Sequence, residues 1–215
     1  YDSDLDINFY VQDWRKADRV KKEYEKFYSR HLKPLLKRKD VGGFFDVTIN
    51  DRHLNPGPQP RHWTSGPDDF EIEVGLSFAY VVLIDERNRA FSKAAKKFLP
   101  YYSETLRKKR LKETVKYGLN NLAHLKPFAR RKLYDQCCKR LYDARKEFLQ
   151  ALFISKKKYP LDYDKWLKYE LEEILGMPEL YKKLVPLYEL KKFESDEIVR
   201  KGEKLKDLFR VYIKV

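Results

Sequence analysis

Leu5, Ile7 and Phe9 alternate with Asp4, Asp6 and Asn8 at the start of the chain, a period of two that predicts a strand with one apolar face. Residues 14–39 then place Val20, Tyr24, Phe27, Tyr28, His31 and Leu35 at helical spacing among charges, so a helix is expected there. In VGGFFDVTIND the alternation returns: Phe45, Val47 and Ile49 share one face, Asp46, Thr48 and Asn50 the other. Pro56, Pro58, Pro60 and Pro67, with Gly57 and Gly66, make residues 52–67 a loop by composition. SGPDDFEIEVGLSFAY reads as a helix with acids and a proline in its first turn, and VVLIDERNRAF as a short buried strand followed by a turn. Beyond residue 92 no further β-branched runs appear. Amphipathic helices are expected there, punctuated by Pro100, Pro127, Pro160, Pro178 and Pro186. The pattern therefore predicts an α+β fold: a mixed-sheet lobe over residues 1–92 and an all-α helical bundle over 93–215.

Composition narrows the class. A chain of 215 residues with 42% hydrophobic and 37% charged residues is globular rather than disordered. No apolar run approaches the roughly 18–20 residues of a membrane span, so no membrane partner is expected. The two cysteines, Cys137 and Cys138, are adjacent and cannot staple distant segments, which points to a reducing, cytoplasmic setting. Charge changes the picture more. The net charge is +14, and residues 107–146 hold fourteen Lys or Arg against Glu113, Asp135 and Asp143, an excess of eleven. Such a concentration implies an anionic partner: nucleotide phosphates, nucleic acid or an acidic protein. The competing reading is a solvated helix face balanced by acids elsewhere.

Several familiar sites are excluded. There is no G-x-x-x-x-G-K-[ST] loop, no G-x-G-x-x-G and no H-E-x-x-H, and the cysteines and histidines have no zinc spacing. His31 and His124 read as ordinary helical residues, and His62 as a loop residue that touches either a substrate or, as loop histidines more often do, only water. What remains is carboxylate chemistry. Asp4 and Asp6 lie on one strand and Asp46 on another, each opposite the apolar residues. If the strands are neighbours, three carboxylates meet at one edge, a hard-oxygen set suited to one or two Mg²⁺. Asp46 would then be a metal ligand, the base that takes a nucleophile's proton, or both.

SDLDINFYV followed by FFDVTIND resembles the nucleotidyltransferase superfamily, the group with a polymerase-beta-like palm. The resemblance is to the aminoglycoside and other small-molecule nucleotidyltransferases, which join that palm to a helical bundle. It extends to VVLIDERNRAF and, more loosely, to YDARKEFLQALFISKKKYPLDYDKWL. It implies Mg²⁺-dependent transfer of a nucleoside monophosphate from an NTP, ATP foremost, to a hydroxyl of an unidentified acceptor, with release of pyrophosphate. Asp4, Asp6 and Asp46 become the metal ligands, Asp46 also the catalytic base, and Asp143 the catalytic-site carboxylate that faces the acceptor. Ser3, Lys158 and Lys165 become nucleotide contacts. The family's phosphate-binding Gly-Ser turn has no counterpart, since Ser3 adjoins the metal ligands, and the chain is expected to continue upstream of Tyr1. Trp166, Tyr169 and Leu171 read as core rather than as a stacking platform. Two rivals stand beside the enzyme. One is an inactive palm whose basic helices, residues 107–146, bind nucleic acid. The other is an antitoxin-like protein that acts on a partner protein. A binder needs a continuous basic stripe on an outer face, whereas an enzyme needs the acids and a pocket.

Overall fold

The structure, a computed structural model, describes residues 5–10, 14–36, 45–50, 54–63 and 66–214. The chain divides into two compact units, Tyr1–Asn55 and Pro56–Val215. Residues 56–92 thus pack with the helices that follow them.

In the first unit, β1 (Leu5–Tyr10) and β2 (Phe45–Asn50) pair in parallel, with Asp6 opposite Asp46 and Phe9 opposite Ile49. Between them runs one helical stretch: α1 (Ala17–Phe27), a π-helical turn (Tyr28–Leu32) and α2 (Lys33–Leu36). Tyr24 is half-buried and lies 5.8 Å from Phe9, ring centre to ring centre, so the apolar stripe of α1 leans on β1.

The second unit is a helical bundle. It contains α3 (Phe70–Val74) continued by a π-helical turn (Gly75–Ala79), α4 (Ala90–Ala95), α5 (Glu104–Ala123) and α6 (Leu125–Arg130). After these come α7 (Tyr134–Lys156), α8 (Leu167–Tyr169) with a π-helical turn (Glu170–Ile174), α9 (Pro178–Leu184) and α10 (Glu197–Tyr212). Ser103 caps α5, its Oγ accepting the N–H of Leu106 at 3.4 Å. Pro178 opens α9, where its missing N–H costs nothing. The centre is α7. Cys137, Leu141, Ala144, Phe148, Ala151 and Leu152 recur at helical spacing and are all buried, and from Glu147 to Ile154 the helix is enclosed on every side. Leu111 and Leu122 of α5, Leu125 of α6, Leu180 and Leu184 of α9, and Ile198, Leu205 and Phe209 of α10 join this core.

The expected mixed-sheet palm does not form. The fold is predominantly helical, and one parallel pair is the whole strand pairing among the described residues. The error lies in VVLID. Its four apolar residues suit a buried strand, yet Val82 is 87% and Ile84 85% exposed, and no backbone hydrogen bond joins residues 81–85 to another described segment. An apolar run becomes a strand only where an edge receives it. Here one end is fixed by the Tyr80 hydroxyl, which donates to the Tyr159 carbonyl, and the other by Glu86, which accepts from the N–H and hydroxyl of Ser92.

Candidate nucleic-acid interface

The basic segment resolves into three groups once folded. Arg110, Arg140 and Arg145 are buried. Arg107, Lys139 and Lys146 are ion-paired with Glu104, Asp143 and Asp164. The other eight are exposed: Lys108, Lys109, Lys112 and Lys116 on α5, and Lys126, Arg130, Arg131 and Lys132 at and after α6. None of these eight has an ion pair among the described residues.

The α5 lysines form a stripe. Lys108, Lys112 and Lys116 succeed one another at four-residue intervals, with Lys109 beside them, over about 12 Å of helix. Lys108/Lys112, Lys109/Lys112 and Lys112/Lys116 are like-charge neighbours, each costing the helix about 0.2–0.5 kcal/mol.

At its C-terminal end the stripe meets an aromatic platform. Trp63 is 49% exposed, its ring 4.9 Å from that of Tyr117, and the Lys116 ammonium lies 4.9 Å from the Trp63 ring centre. The loop carrying Trp63 is held from beneath. Arg140 Nη1 donates to the Trp63 carbonyl at 2.9 Å and to Asn121 Oδ1 at 2.5 Å. Arg61 Nη2 donates to Glu147 Oε1 at 2.6 Å and to the Gly66 carbonyl at 2.9 Å, while its guanidinium covers the Tyr117 ring at 4.4 Å. Gly66 is required here: its φ is +72°, and a Cβ would sit 3.0 Å from Asp143 Oδ1.

Under this loop lies a buried polar network. Arg110 engages both Asp68 (Nη2–Oδ1, 2.6 Å) and Glu71 (Nε–Oε1, 2.5 Å). Glu71 also accepts from Tyr102 at 2.7 Å and Gln150 at 2.8 Å. Glu147 accepts from Asn121 at 2.9 Å as well as from Arg61. Burial pushes the Glu147 carboxyl up to about 7 despite the opposing field of Arg61. Arg110 is held above its ordinary range by Glu71 and Asp68, which outweigh its desolvation. The network fixes the loop against α5 and α7 and thereby sets the position of Trp63.

The residues expected to form a metal and nucleotide site belong to both units. Ser3 and Asp4 lie outside the described residues. Asp6 and Asp46 are register partners, adjacent on the parallel pair. Among the described residues no group of three or more His, Cys, Asp or Glu is placed to hold a metal ion. Asp143 is nearly buried and pairs with Lys139 at 2.5 Å one turn earlier. Lys158 is exposed just beyond α7. Lys165 is exposed too, 5.6 Å over the Trp166 ring. Leu171 is core as expected, but Trp166 and Tyr169 are exposed. Asp164, unremarked in the sequence, accepts from the Tyr142 hydroxyl at 2.6 Å and pairs with Lys146 at 3.0 Å. No helix among the described residues is long and apolar enough to cross a membrane.

No family model, curated protein or solved structure matches the chain. The resemblance to the nucleotidyltransferase superfamily is thereby overturned. It rested on two short acidic strands and a loose helical motif, and among the described residues the predominantly helical architecture has one parallel strand pair rather than a mixed-sheet palm.

Proposed function

We propose that the protein binds single-stranded nucleic acid along α5, with Trp63 as a stacking surface. The supporting observation is the lysine stripe, whose four lysines keep three repulsive neighbour pairs and have no ion pair among the described residues, with Glu113 the one acid within its span, on an exposed face that ends at a half-exposed tryptophan. A surface selected only for solubility would mix the two signs more evenly than four lysines to one acid. A strand carrying one charge per roughly 3.4 Å presents about three or four phosphates along the stripe's 12 Å. An unpaired base offers the π-face that Trp63 can stack, and a duplex does not.

The test is fluorescence anisotropy of a labelled single-stranded oligonucleotide across a salt series. Engagement of the four α5 lysines gives log K against log[salt] a slope of about −2.8. The triple variant Lys108→Ala/Lys112→Ala/Lys116→Ala should make that slope shallower by about 2. An unchanged slope in the variant, or affinity for a matched duplex equal to that for the single strand, would overturn the assignment.

A further inference from the structure

The turn before α10 and that helix's first two turns enclose a depression of about 480 Å³ lined by five cations: Lys191, Lys192, Arg200, Lys201 and Lys204. Glu197 is the one acid in the lining, and it is already engaged. Its Oε2 accepts the backbone N–H groups of Lys191 (2.9 Å) and Lys192 (3.2 Å), and its Oε1 lies 3.8 Å from Lys201 Nζ. Ser195 ties the same turn, its hydroxyl donating to the Lys192 carbonyl at 2.7 Å and accepting the Glu197 N–H at 3.2 Å. Lys201 is held further by the Pro186 carbonyl at 2.6 Å. Lys191, Lys192, Arg200 and Lys204 have no ion pair among the described residues.

The charge of this depression is a product of folding. Residues 191–204 contain five cations and four acids, close to neutral in sequence. The fold sorts them: all five cations line the depression, whereas Glu194, Asp196 and Glu203 do not. The lining therefore carries an excess of four positive charges in a concavity the size of a small-molecule site. Sites for neutral organic ligands are lined mostly by hydrophobic and aromatic residues, whereas here every lining residue but Ser195 is charged.

We infer that this depression binds a compact, phosphate-dense anion of two or three phosphoryl groups. A terminal phosphate carries about −1.5 to −2 near neutral pH, so two or three groups match the excess of four. Arg200 supplies a fork that fits phosphate oxygens in pairs, and the lysines act as mobile point charges around it. The same chemistry occurs in free oligophosphates and in consecutive phosphates of a nucleic-acid strand. The inference does not rest on the α5 stripe, which is a separate surface with its own variants.

Isothermal titration calorimetry of the full chain with inorganic tripolyphosphate, at 150 mM salt, tests it. One ion should bind per chain, more tightly than monophosphate. Arg200→Ala/Lys204→Ala should weaken that binding at least tenfold at unchanged Tm, because both side chains are exposed. Lys112→Ala/Lys116→Ala should leave it unaltered. If the pocket variant keeps its affinity for a single-stranded oligonucleotide, the ligand is a free oligophosphate. If affinity for the oligonucleotide falls in parallel, the depression holds strand phosphates. Non-saturable tripolyphosphate binding, unchanged affinity in the pocket variant, or an equal loss in the α5 variant would overturn the site.

Discussion

Glu170 is fully buried, and only one of its carboxylate oxygens is satisfied. Its Oε1 accepts the N–H groups of Leu161 (2.6 Å) and Asp162 (2.9 Å), while Oε2 has no hydrogen-bond partner among the described residues. Burial, with smaller repulsion from Asp162 and Asp164, pushes its carboxyl from the ordinary 4.5 up to about 7, against the pull of the two N–H groups. Between these values the folded state keeps a proton that the unfolded chain has released. The resulting stabilisation is fully present below about pH 4.5 and is lost as pH rises through 7. At 1.36 kcal/mol per pH unit the swing is about 3 kcal/mol at most.

Glu170→Gln removes the titration and keeps an acceptor at Oε1. The new amide NH₂ inherits the unpartnered position of Oε2, at a cost of about 1–3 kcal/mol that does not vary with pH. Glu147, also pushed up to about 7, titrates in both proteins and cancels in their difference. Tyr80, which faces Glu170, is pushed up to about 12 and stays neutral throughout. Urea unfolding followed by circular dichroism at pH 5 and pH 8 should therefore show the variant gaining about 2–3 kcal/mol relative to wild type between the two. Parallel stability curves, with a difference independent of pH, would refute the reasoning.

Three further outcomes follow from the same structure. Arg110→Met should destabilise by about 3–5 kcal/mol in denaturant unfolding, because it strands the buried Asp68 and Glu71 carboxylates without a cation. Trp63→Ala should weaken single-strand binding by about 1–3 kcal/mol while leaving its salt slope unchanged, since stacking is lost and no phosphate contact is. Gly202→Ala sets a helix-propensity gain of about 1 kcal/mol against a Cβ 2.2 Å from Leu125 Cδ1, in a core where overpacking costs about 1–3 kcal/mol. Net destabilisation is expected, visible as a lowered Tm.

Much of the local structure could be read from the sequence. The alternations around Ile7 and Val47 and the helical spacing of Val20, Tyr24 and Phe27 each report a local face, and local faces are what periodicity encodes. VVLID shows where that logic ends, because pairing depends on a distant edge that no local pattern reports. The buried network was less visible, although a trace of it exists. Gln150 interrupts the apolar run from Phe148 to Ile154 in α7, Glu147 lies one turn before Ala151 on its buried side, and Asp68 and Glu71 stand either side of Phe70, so polar side chains occupy positions among the core residues. Such polar residues call for partners, and the partners came from Arg61, Arg110 and Asn121, far away in sequence.

Counting charge along the chain misled in both directions, for one physical reason. The segment with an excess of eleven cations puts three of its arginines inside, where Arg110 and Arg140 serve as hydrogen-bond donors to the loop and α3. Residues 191–204, nearly neutral by count, present a strongly cationic concavity because their acids turn elsewhere. A side chain contributes to a binding surface only through the face its helix gives it, and a helix rotates each residue by about 100° from the last. Lys108, Lys112 and Lys116 therefore act together, whereas Arg110, two residues from Lys108, points into the core. The surfaces proposed to bind phosphate are thus defined by spacing rather than by composition. On the proposed reading, a lysine moved two positions along α5 leaves that face and should weaken single-strand binding about as much as its removal would.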